Sequence, residues 1–245
     1  MPQRLVGRRT LGRRRPSLGQ EAGASMSDAK VTVFVVDDDL SVRESLKLLI
    51  ESAGWQPEAF GSAHEFLSHA RVPGPSCLLL DVVLPDLNGL DLQSLVADRT
   101  GMPIIFITGH GDVPTTVRAM KAGAVEFFVK PLFDDLLVSA IRSAIERSCA
   151  ALGDEAQMLA LRDHYASLSP REREVMGLVV CGRLNKQVGA ELGISEITVK
   201  AHRGSMMRKM KAGCLPDLVN MAARLSLRAC GSTCVPSCQT KLEAA

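Results

Sequence analysis

Three consecutive carboxylates, Asp37, Asp38 and Asp39, directly follow a short apolar run at residues 33–36. The run is β-branched and aromatic, which is typical of a strand that is covered on both faces. From Leu40 the apolar residues recur at helical spacing, so the acids stand where a strand ends and a helix begins. Asp39 is expected to cap that helix. Capping does not explain the other two, because clustered carboxylates repel unless a cation shares their charge, and the pattern indicates a hard-metal site.

Further polar residues stand at the ends of later strand-like segments: Asp81 after 77–80, Thr108 after 102–107, and Lys130 after 126–129. The alternation of strands and helices predicts an α/β fold, a doubly wound parallel sheet of five strands with helices on both faces. The carboxyl ends of the strands would then bring these groups to one edge. Such a set suits phosphoryl chemistry, with acids that hold Mg²⁺, Asp81 as the nucleophile, and Lys130 neutralising charge on the phosphoryl group.

Residues 31–147 resemble the CheY-like receiver domain of two-component response regulators. The resemblance rests on VVDD at 35–38, Asp81, ITG at 107–109 and Lys130-Pro131. It implies that Asp81 accepts a phosphoryl group from the phosphohistidine of a sensor histidine kinase. A phosphatase of the haloacid dehalogenase type is the enzyme alternative. That chemistry wants a second Asp two positions after the nucleophile, where this chain has Val83, so we expect a protein that is not an enzyme.

The same resemblance implies roles for the residues around Asp81. It implies a Mg²⁺ site whose members are Asp37 (through water), Asp38, Asp81 and the backbone oxygen of Val83. It implies a switch in which Thr108 turns toward the phosphoryl oxygen and Phe127 swings inward. It also implies a cis peptide bond between Lys130 and Pro131, an arrangement that only proline makes easy.

A second, all-α module is predicted from the later part of the chain. Residues 185–192 and 196–210 predict two helices joined by a short turn that contains glycine, which is the helix-turn-helix unit. Residues 168–228 carry eleven Lys or Arg and five Asp or Glu, a net +6 that suits phosphate contact. A small helical dimerisation bundle is the alternative that charge alone leaves open. Residues 168–212 resemble the LuxR-type helix-turn-helix, and the whole chain resembles the NarL/FixJ class. GHGDV at 109–113, MKAGA at 120–124 and NKQVGAELGIS at 185–195 are similar to its FixJ-like branch.

By this resemblance the second helix of the unit enters a DNA major groove. The implied DNA-binding residues are Lys186, Thr198, Lys200, Ala201, Arg203 and Arg208. Lys200 and Arg203 are expected to reach guanine edges or phosphates. Gly204 departs from the family pattern, because longer side chains often stand at this position. A glycine there can contribute little to the recognition of bases.

Charge divides the chain in the same way as the motifs do. Residues 1–25 carry six Arg and one Glu, residues 26–147 have a net charge of −7, and the whole chain has +2. The predicted division is a disordered basic arm at 1–30 with Met26 as an alternative start, a receiver at 31–147, a helical linker at 148–166, a LuxR-type domain at 167–229 and a disordered tail at 230–245.

The seven cysteines are scattered, apart from Cys230, Cys234 and Cys238. An odd number in a chain with no signal-peptide core indicates reduced thiols and a cytoplasmic location. No apolar run approaches the ~20 residues of a membrane span, so no membrane partner is expected. The cysteine trio is weak as a metal site, because no His or fourth Cys follows nearby.

The expected function is phosphorylation-dependent regulation of transcription. Its expected partners are a sensor histidine kinase, double-stranded DNA, RNA polymerase as a further candidate, and a second copy of the chain when phosphorylated. The dimer face is placed at residues 112–122, 126–129 and 133–148, which lie nearest the switch residues. A receiver with an RNA-binding or adaptor output is the remaining alternative.

Overall fold

The computed structural model describes residues 30–70, 72–99, 101–109 and 111–227. The predicted arm (apart from Lys30), Met26, the predicted tail and its three cysteines lie outside the described residues. No helix among the described residues is long and apolar enough to cross a membrane.

The N-terminal domain alternates strands and helices along the chain. They are β1 (Thr32–Val36), α1 (Leu40–Ser52), β2 (Gln56–Phe60), α2 (Ala63–Ser68), β3 (Ser76–Leu80), α3 (Gly89–Leu95), β4 (Ile104–Thr108), α4 (Val113–Lys121), β5 (Glu126–Val129) and α5 (Asp134–Ala166). All strand pairs are parallel, in the order β2-β1-β3-β4-β5. The predicted doubly wound sheet of five parallel strands is thereby confirmed.

Both faces of the sheet are covered, which explains why β1, β3 and β4 are apolar without alternation. Every residue of these three strands is buried. Phe34 and its neighbours on one face pack against α2, α3 and α4, and Val35 on the other face belongs to the core formed with α1 and α5. The strand β4 begins at Ile104, two residues later than predicted. Pro103, which has no N–H for a strand ladder, stands in between.

Helix α5 is a single helix of 33 residues that continues through the predicted linker. Its first half packs on the sheet, where Ser148 is fully buried and Cys149 packs against the same core. The Ser148 hydroxyl accepts a hydrogen bond from the Ser76 amide at 2.9 Å and donates one to the carbonyl of Gly101. Farther along, Leu161 is buried in the core of the C-terminal domain.

The C-terminal domain is all-α, as predicted. Its helices are α6 (Pro170–Val180), α7 (Asn185–Leu192), α8 (Glu196–Lys209) and α9 (Leu215–Arg224). The helix α9 was not predicted, and its Leu218 and Ala222 are buried against the other helices. In α6 the Ser169 hydroxyl and the Glu172 carboxylate cap each other's backbone N–H groups, and Lys209 of α8 donates to the same carboxylate at 2.7 Å.

Candidate functional site

Three carboxylates meet at the carboxyl edge of the parallel sheet. Asp37 and Asp38 follow β1 and Asp81 follows β3, which are adjacent strands. One oxygen from each of these three residues lies within 4.8 Å of the others. Asp37 and Asp81 are buried, whereas Asp38 is exposed. The structure therefore brings together the acids that the sequence singles out.

Lys130, which follows β5, reaches into this acidic cluster. Its ammonium group donates to Asp37 Oδ2 at 2.6 Å and to Asp81 Oδ2 at 2.9 Å. Burial raises the pKa of Asp37 above its usual value, and this outweighs the hydrogen bonds that lower it. Burial alone would lower the pKa of Lys130, but the two carboxylates outweigh that effect and raise it. The lysine is therefore held in its charged form between two carboxylates.

The first turn of α1 fixes the position of Asp37. Asp39 is the N-cap of the helix, as expected, and accepts a hydrogen bond from the Ser41 amide at 2.8 Å. The Asp39 amide in turn donates to Asp37 Oδ1 at 3.0 Å. Arg43, one turn into α1, donates to the main-chain oxygen of Asp37 at 2.6 Å. Helix capping and the acidic cluster thus share one short segment.

The loop after β3 fixes the position of Asp81. The amide of Val83 donates to Asp81 Oδ1 at 3.0 Å, so each oxygen of this carboxylate has a partner. A Cβ at Gly89 would stand 2.3 Å from the backbone oxygen of Asp81. Glycine is therefore needed for α3 to start this close to the acid. The Val83 side chain is 58% exposed and offers no polar group beside the site.

The two predicted switch residues stand on the adjacent strands β4 and β5. Thr108, at the end of β4, is fully buried, and its carbonyl accepts a hydrogen bond from the Lys130 amide at 2.8 Å. The peptide bond between Lys130 and Pro131 is cis, as the resemblance implied. Phe127 is half-buried, and its ring centroid lies 6.0 Å from that of Phe106 in the core. The ring of Phe127 thus already lies close to an aromatic residue of the core.

One residue that bears on the geometry was missed by the sequence reasoning. Asp86, in the loop after β3, accepts hydrogen bonds from the amides of Ala63 and His64 at the start of α2. These bonds, the one from His64 first, lower the pKa of Asp86. The only local signal was an Asp in a turn, and nothing in it indicates a partner more than twenty residues away.

The C-terminal domain places α7 and α8 as a helix-turn-helix. Gly193 ends α7 in the left-handed conformation, and Ser195 caps α8 by accepting a hydrogen bond from the Thr198 amide. A Cβ at Gly189 would lie 2.7 Å from the backbone oxygen of Ile194. The close approach of α7 to the turn therefore depends on glycine.

The predicted DNA-binding residues are not equally available. Lys186, Lys200, Ala201 and Arg208 are exposed, whereas Thr198 and Arg203 are half-buried. Arg203 donates to Asn185 Oδ1 at 3.1 Å. The hydroxyl of Thr198 lies 2.8 Å from that of Ser195. These two polar side chains are thus engaged within the domain.

Comparison with known proteins divides the chain at similar points. Residues 33–142 match the response regulator receiver domain, and residues 166–222 match the bacterial regulatory proteins of the luxR family. Nodulation protein W of Bradyrhizobium diazoefficiens is 48% identical over 210 residues, which are 85% of this chain and 92% of that protein. The transcriptional regulatory protein FixJ of the same organism is 41% identical over 198 residues, 80% of this chain and 96% of that protein. The structure of the response regulator StyR is similar with a TM-score of 0.72 and 44% identity, covering 80% of this chain and all of that one.

Proposed function

Because this chain belongs to the NarL/FixJ class of response regulators, which join a receiver to a LuxR-type DNA-binding domain and regulate transcription in two-component systems, we propose that Asp81 is its phosphoryl acceptor. The observation that carries the proposal is the position of Lys130, whose ammonium group bonds both Asp37 and Asp81. A kinase and DNA are the partners that this family implies. Of the clustered acids, Asp81 alone stands at the end of β3, at the centre of the sheet.

The reaction needs little beyond positioning. A carboxylate oxygen of Asp81 attacks the phosphorus of a phosphohistidine on the sensor kinase, and the P–N bond breaks with its electron pair leaving on the imidazole. The Asp81 carboxylate is held between Lys130 and the Val83 amide, so it is oriented before the donor arrives. Charge that builds on the phosphoryl oxygens is stabilised by the Lys130 ammonium group.

The acidic cluster fits Mg²⁺ as the cofactor. Three carboxylates within reach of one another offer the hard oxygen donors that this ion prefers. Asp37, Asp38, Asp81 and the backbone oxygen of Val83 are the residues that would hold it. When bound, the ion would neutralise charge on the phosphoryl group and so make the acceptor compatible with an anionic donor.

Phosphorylation of the full chain by acetyl phosphate tests the acceptor. Intact-mass measurement should show one added phosphoryl group when Mg²⁺ is present and none when it is chelated. Asp81→Asn should abolish the addition, whereas Asp91→Asn, which removes an exposed acid from the first turn of α3, should leave it intact. Labelling of Asp81→Asn at the wild-type level would refute the assignment.

The phosphoryl group should be lost slowly once it is on Asp81. Val83, which is exposed beside the site, carries no polar group that could position an attacking water molecule. The lifetime of the labelled protein, followed by mass after removal of the donor, should therefore extend well beyond seconds. A lifetime of seconds would contradict this part of the proposal.

Activation is proposed to proceed by dimerisation through α4, β5 and α5. Movement of Thr108 and Phe127 toward the phosphoryl group would change this face, so the phosphorylated form is selected in dimers. The face carries the exposed apolar side chains of Val113, Val117, Met120, Val129, Phe133 and Leu136. Such a cluster favours a protein contact.

Sedimentation velocity with and without the phosphoryl mimic beryllofluoride tests this step. The mimic should convert monomer to dimer at micromolar concentration, and Phe133→Ser should prevent the conversion. Leu48→Ser, which changes a similarly exposed side chain on α1, should not. If the mimic leaves the protein monomeric while DNA affinity rises, release of an inhibitory contact between the domains is the better account.

We propose that α8 enters the major groove and that exposed Lys186, Lys200 and Arg208 contact the DNA backbone or bases. Two copies of the domain on paired half-sites would supply the contact area that one copy lacks.

The protein would act in the cytoplasm, where its DNA lies. RNA polymerase remains a candidate partner, because a regulator on DNA acts where polymerase starts.

A further inference from the structure

Ile197, in the first turn of α8, has the most solvent-exposed large hydrophobic side chain in the described part of the chain, at 80%. It lies on the side of the helix opposite Val199 and Met206, which are buried. Nothing in the packing of the domain explains an isoleucine at this position. A β-branched residue is also a poorer helix former than the alanine or lysine that usually serves on an exposed face.

The surface that continues from Ile197 along the helix carries few groups for hydrogen bonding. Residues 197, 201, 204 and 208 follow one another at intervals of four, three and four, so they form one line along the outer face. Ala201 and Gly204 are exposed on this line, which ends at the exposed side chain of Arg208. A Cβ at Gly204 would meet nothing within 4 Å. The glycine is therefore not required by the packing of the domain, and it leaves the middle of the outer face open.

The polar residues next to this line are already engaged. Arg203 bonds Asn185, and the Thr198 hydroxyl bonds Ser195. Lys200 lies 3.3 Å from Glu196, one turn before it. The ion pair of Lys200 is exposed and weak, so this lysine can turn to a phosphate, but the centre of the outer face remains apolar.

We propose that Ile197 is a specificity residue that packs against the C5 methyl group of a thymine in each half-site. This inference rests on the proposed function, in which α8 lies in the major groove. The thymine methyl is the apolar group that base pairs of unmodified DNA present there, and aliphatic side chains recognise it by contact. The residues at the start of a recognition helix are those that reach base edges. The first base contact of α8 is therefore apolar and is made by Ile197, whereas the sequence led us to expect contacts of Arg203 with guanine edges.

The test uses the full chain with beryllofluoride and a duplex selected for binding from a random pool. Each thymine of the selected duplex is replaced in turn by deoxyuridine, which removes only the C5 methyl group. Affinity for the wild-type protein should fall about fourfold at one position in each half-site, as expected for one buried methyl group. Ile197→Ala should bind the thymine duplex more weakly and should lose this dependence on the methyl group.

Leu159→Ala is the matched control, because it shortens another exposed aliphatic side chain, on α5. It should keep both the affinity and the dependence on the methyl group. Circular dichroism should show equal helix content in all three proteins, because Ile197 is almost fully exposed. Loss of helix in Ile197→Ala alone would show that the residue supports the fold, and would overturn the proposal.

The remaining outcomes separate this inference from the proposed function. If the wild-type protein binds the selected duplex but no uracil substitution weakens it, Ile197 does not read a thymine and only the DNA-binding function stands. If the dependence survives Ile197→Ala, the methyl group lies against another residue and the proposal is wrong. If no duplex is enriched from the pool, the proposed placement of α8 fails, and this inference fails with it.

Discussion

Lys130 in the N-terminal domain and Lys209 in the C-terminal domain each bond a buried carboxylate, and they differ in charge balance. Lys130 bonds Asp37 at 2.6 Å and Asp81 at 2.9 Å, with Asp38 beside them. Lys209 bonds Glu172 at 2.7 Å, and the other partners of that carboxylate are the cap of its own helix and the side chain of Ser205 on α8. The distances are nearly the same. Acids outnumber the lysine in the first site and match it in the second.

This difference in charge balance separates a site that can bind a further ion from an ion pair whose charges already match. Glu172 has its hydrogen bonds satisfied within the domain, so the pair with Lys209 supports the fold of α6 against α8. The cluster at Lys130 has an excess of negative charge, which favours a bound cation and then an anionic phosphoryl group. A short ion pair alone therefore does not indicate function, whereas an unmatched charge beside it does.

The largest expected effect comes from Lys130→Met, which removes the cation and keeps most of the side-chain volume. The rate of phosphorylation by acetyl phosphate should fall about a hundredfold or more, because one preorganised charge is lost from the transition state. Initial rates by intact mass measure it. Lys47→Met, which breaks an exposed pair with Glu44 on α1, should leave the rate unchanged. A rate within twofold of wild type for Lys130→Met would mean that Lys130, like Lys209, has no role in phosphorylation.

Lys209→Met should act on stability and not on phosphorylation. It leaves the buried Glu172 carboxylate without its cation, which should lower the free energy of unfolding of the C-terminal domain by about 1–3 kcal/mol. Trp55 is the only tryptophan and lies in the N-terminal domain, and Tyr165 is the only tyrosine and packs in the C-terminal core. In urea the tyrosine transition should shift while the tryptophan transition stays in place. Equal shifts would mean that the pair supports the whole chain.

The acid dependence of stability should sharpen the comparison. The hydrogen bond from Lys209 lowers the pKa of Glu172 from 4.5 to about 2, and burial opposes it only in part. A carboxylate with a lowered pKa stabilises the fold above its unfolded pKa, and this contribution is lost as the pH falls through the folded pKa. The tyrosine-reported stability should therefore fall between pH 4.5 and 2, and by less in Glu172→Gln. An identical acid profile in that variant would contradict the assignment. By contrast, burial raises the pKa of Asp37, in the acidic cluster, above its usual value.

The smallest effect is expected for Lys200, whose pair with Glu196 is exposed on both sides. Lys200→Ala should change the free energy of unfolding by less than about 1 kcal/mol. Its effect should appear in DNA binding, where loss of one phosphate contact flattens the plot of log affinity against log salt by about one unit. Titration between low and moderate salt measures that slope. An unchanged slope would place Lys200 away from the phosphates.

Much of the N-terminal domain follows from local patterns in the sequence. Buried strands read as apolar runs, and an acid at the end of such a run must stand at the carboxyl edge of a parallel sheet. These patterns predict that Asp37, Asp81 and Lys130 lie close together. They do not indicate which carboxylates the lysine bonds, because Asp37 and Asp38 are neighbours in the chain and only the backbone path decides which one turns inward.

The features that were missed depend on contacts that are distant in sequence. Asp86 caps α2 from a different loop, and Arg203 is held by Asn185 from the preceding helix. Neither residue differs locally from a solvated polar side chain. Helix α9 is a different case, because a local signal exists that the prediction missed: Leu215, Leu218, Ala222 and Leu225 recur at helical spacing, and a proline stands in the first turn.

Because α5 is one continuous helix, the number of residues in it sets the angle at which one domain is rotated relative to the other. A helix of 33 residues is about 50 Å long, and each residue turns the chain by about 100°. Inserting or deleting one residue between Ser148 and Leu161 would point the DNA-binding domain in a new direction, whereas seven residues, close to two full turns, would nearly restore it. Exchange of receivers between relatives should therefore succeed in steps of a heptad, and a ladder of insertions scored by reporter transcription would reveal that period.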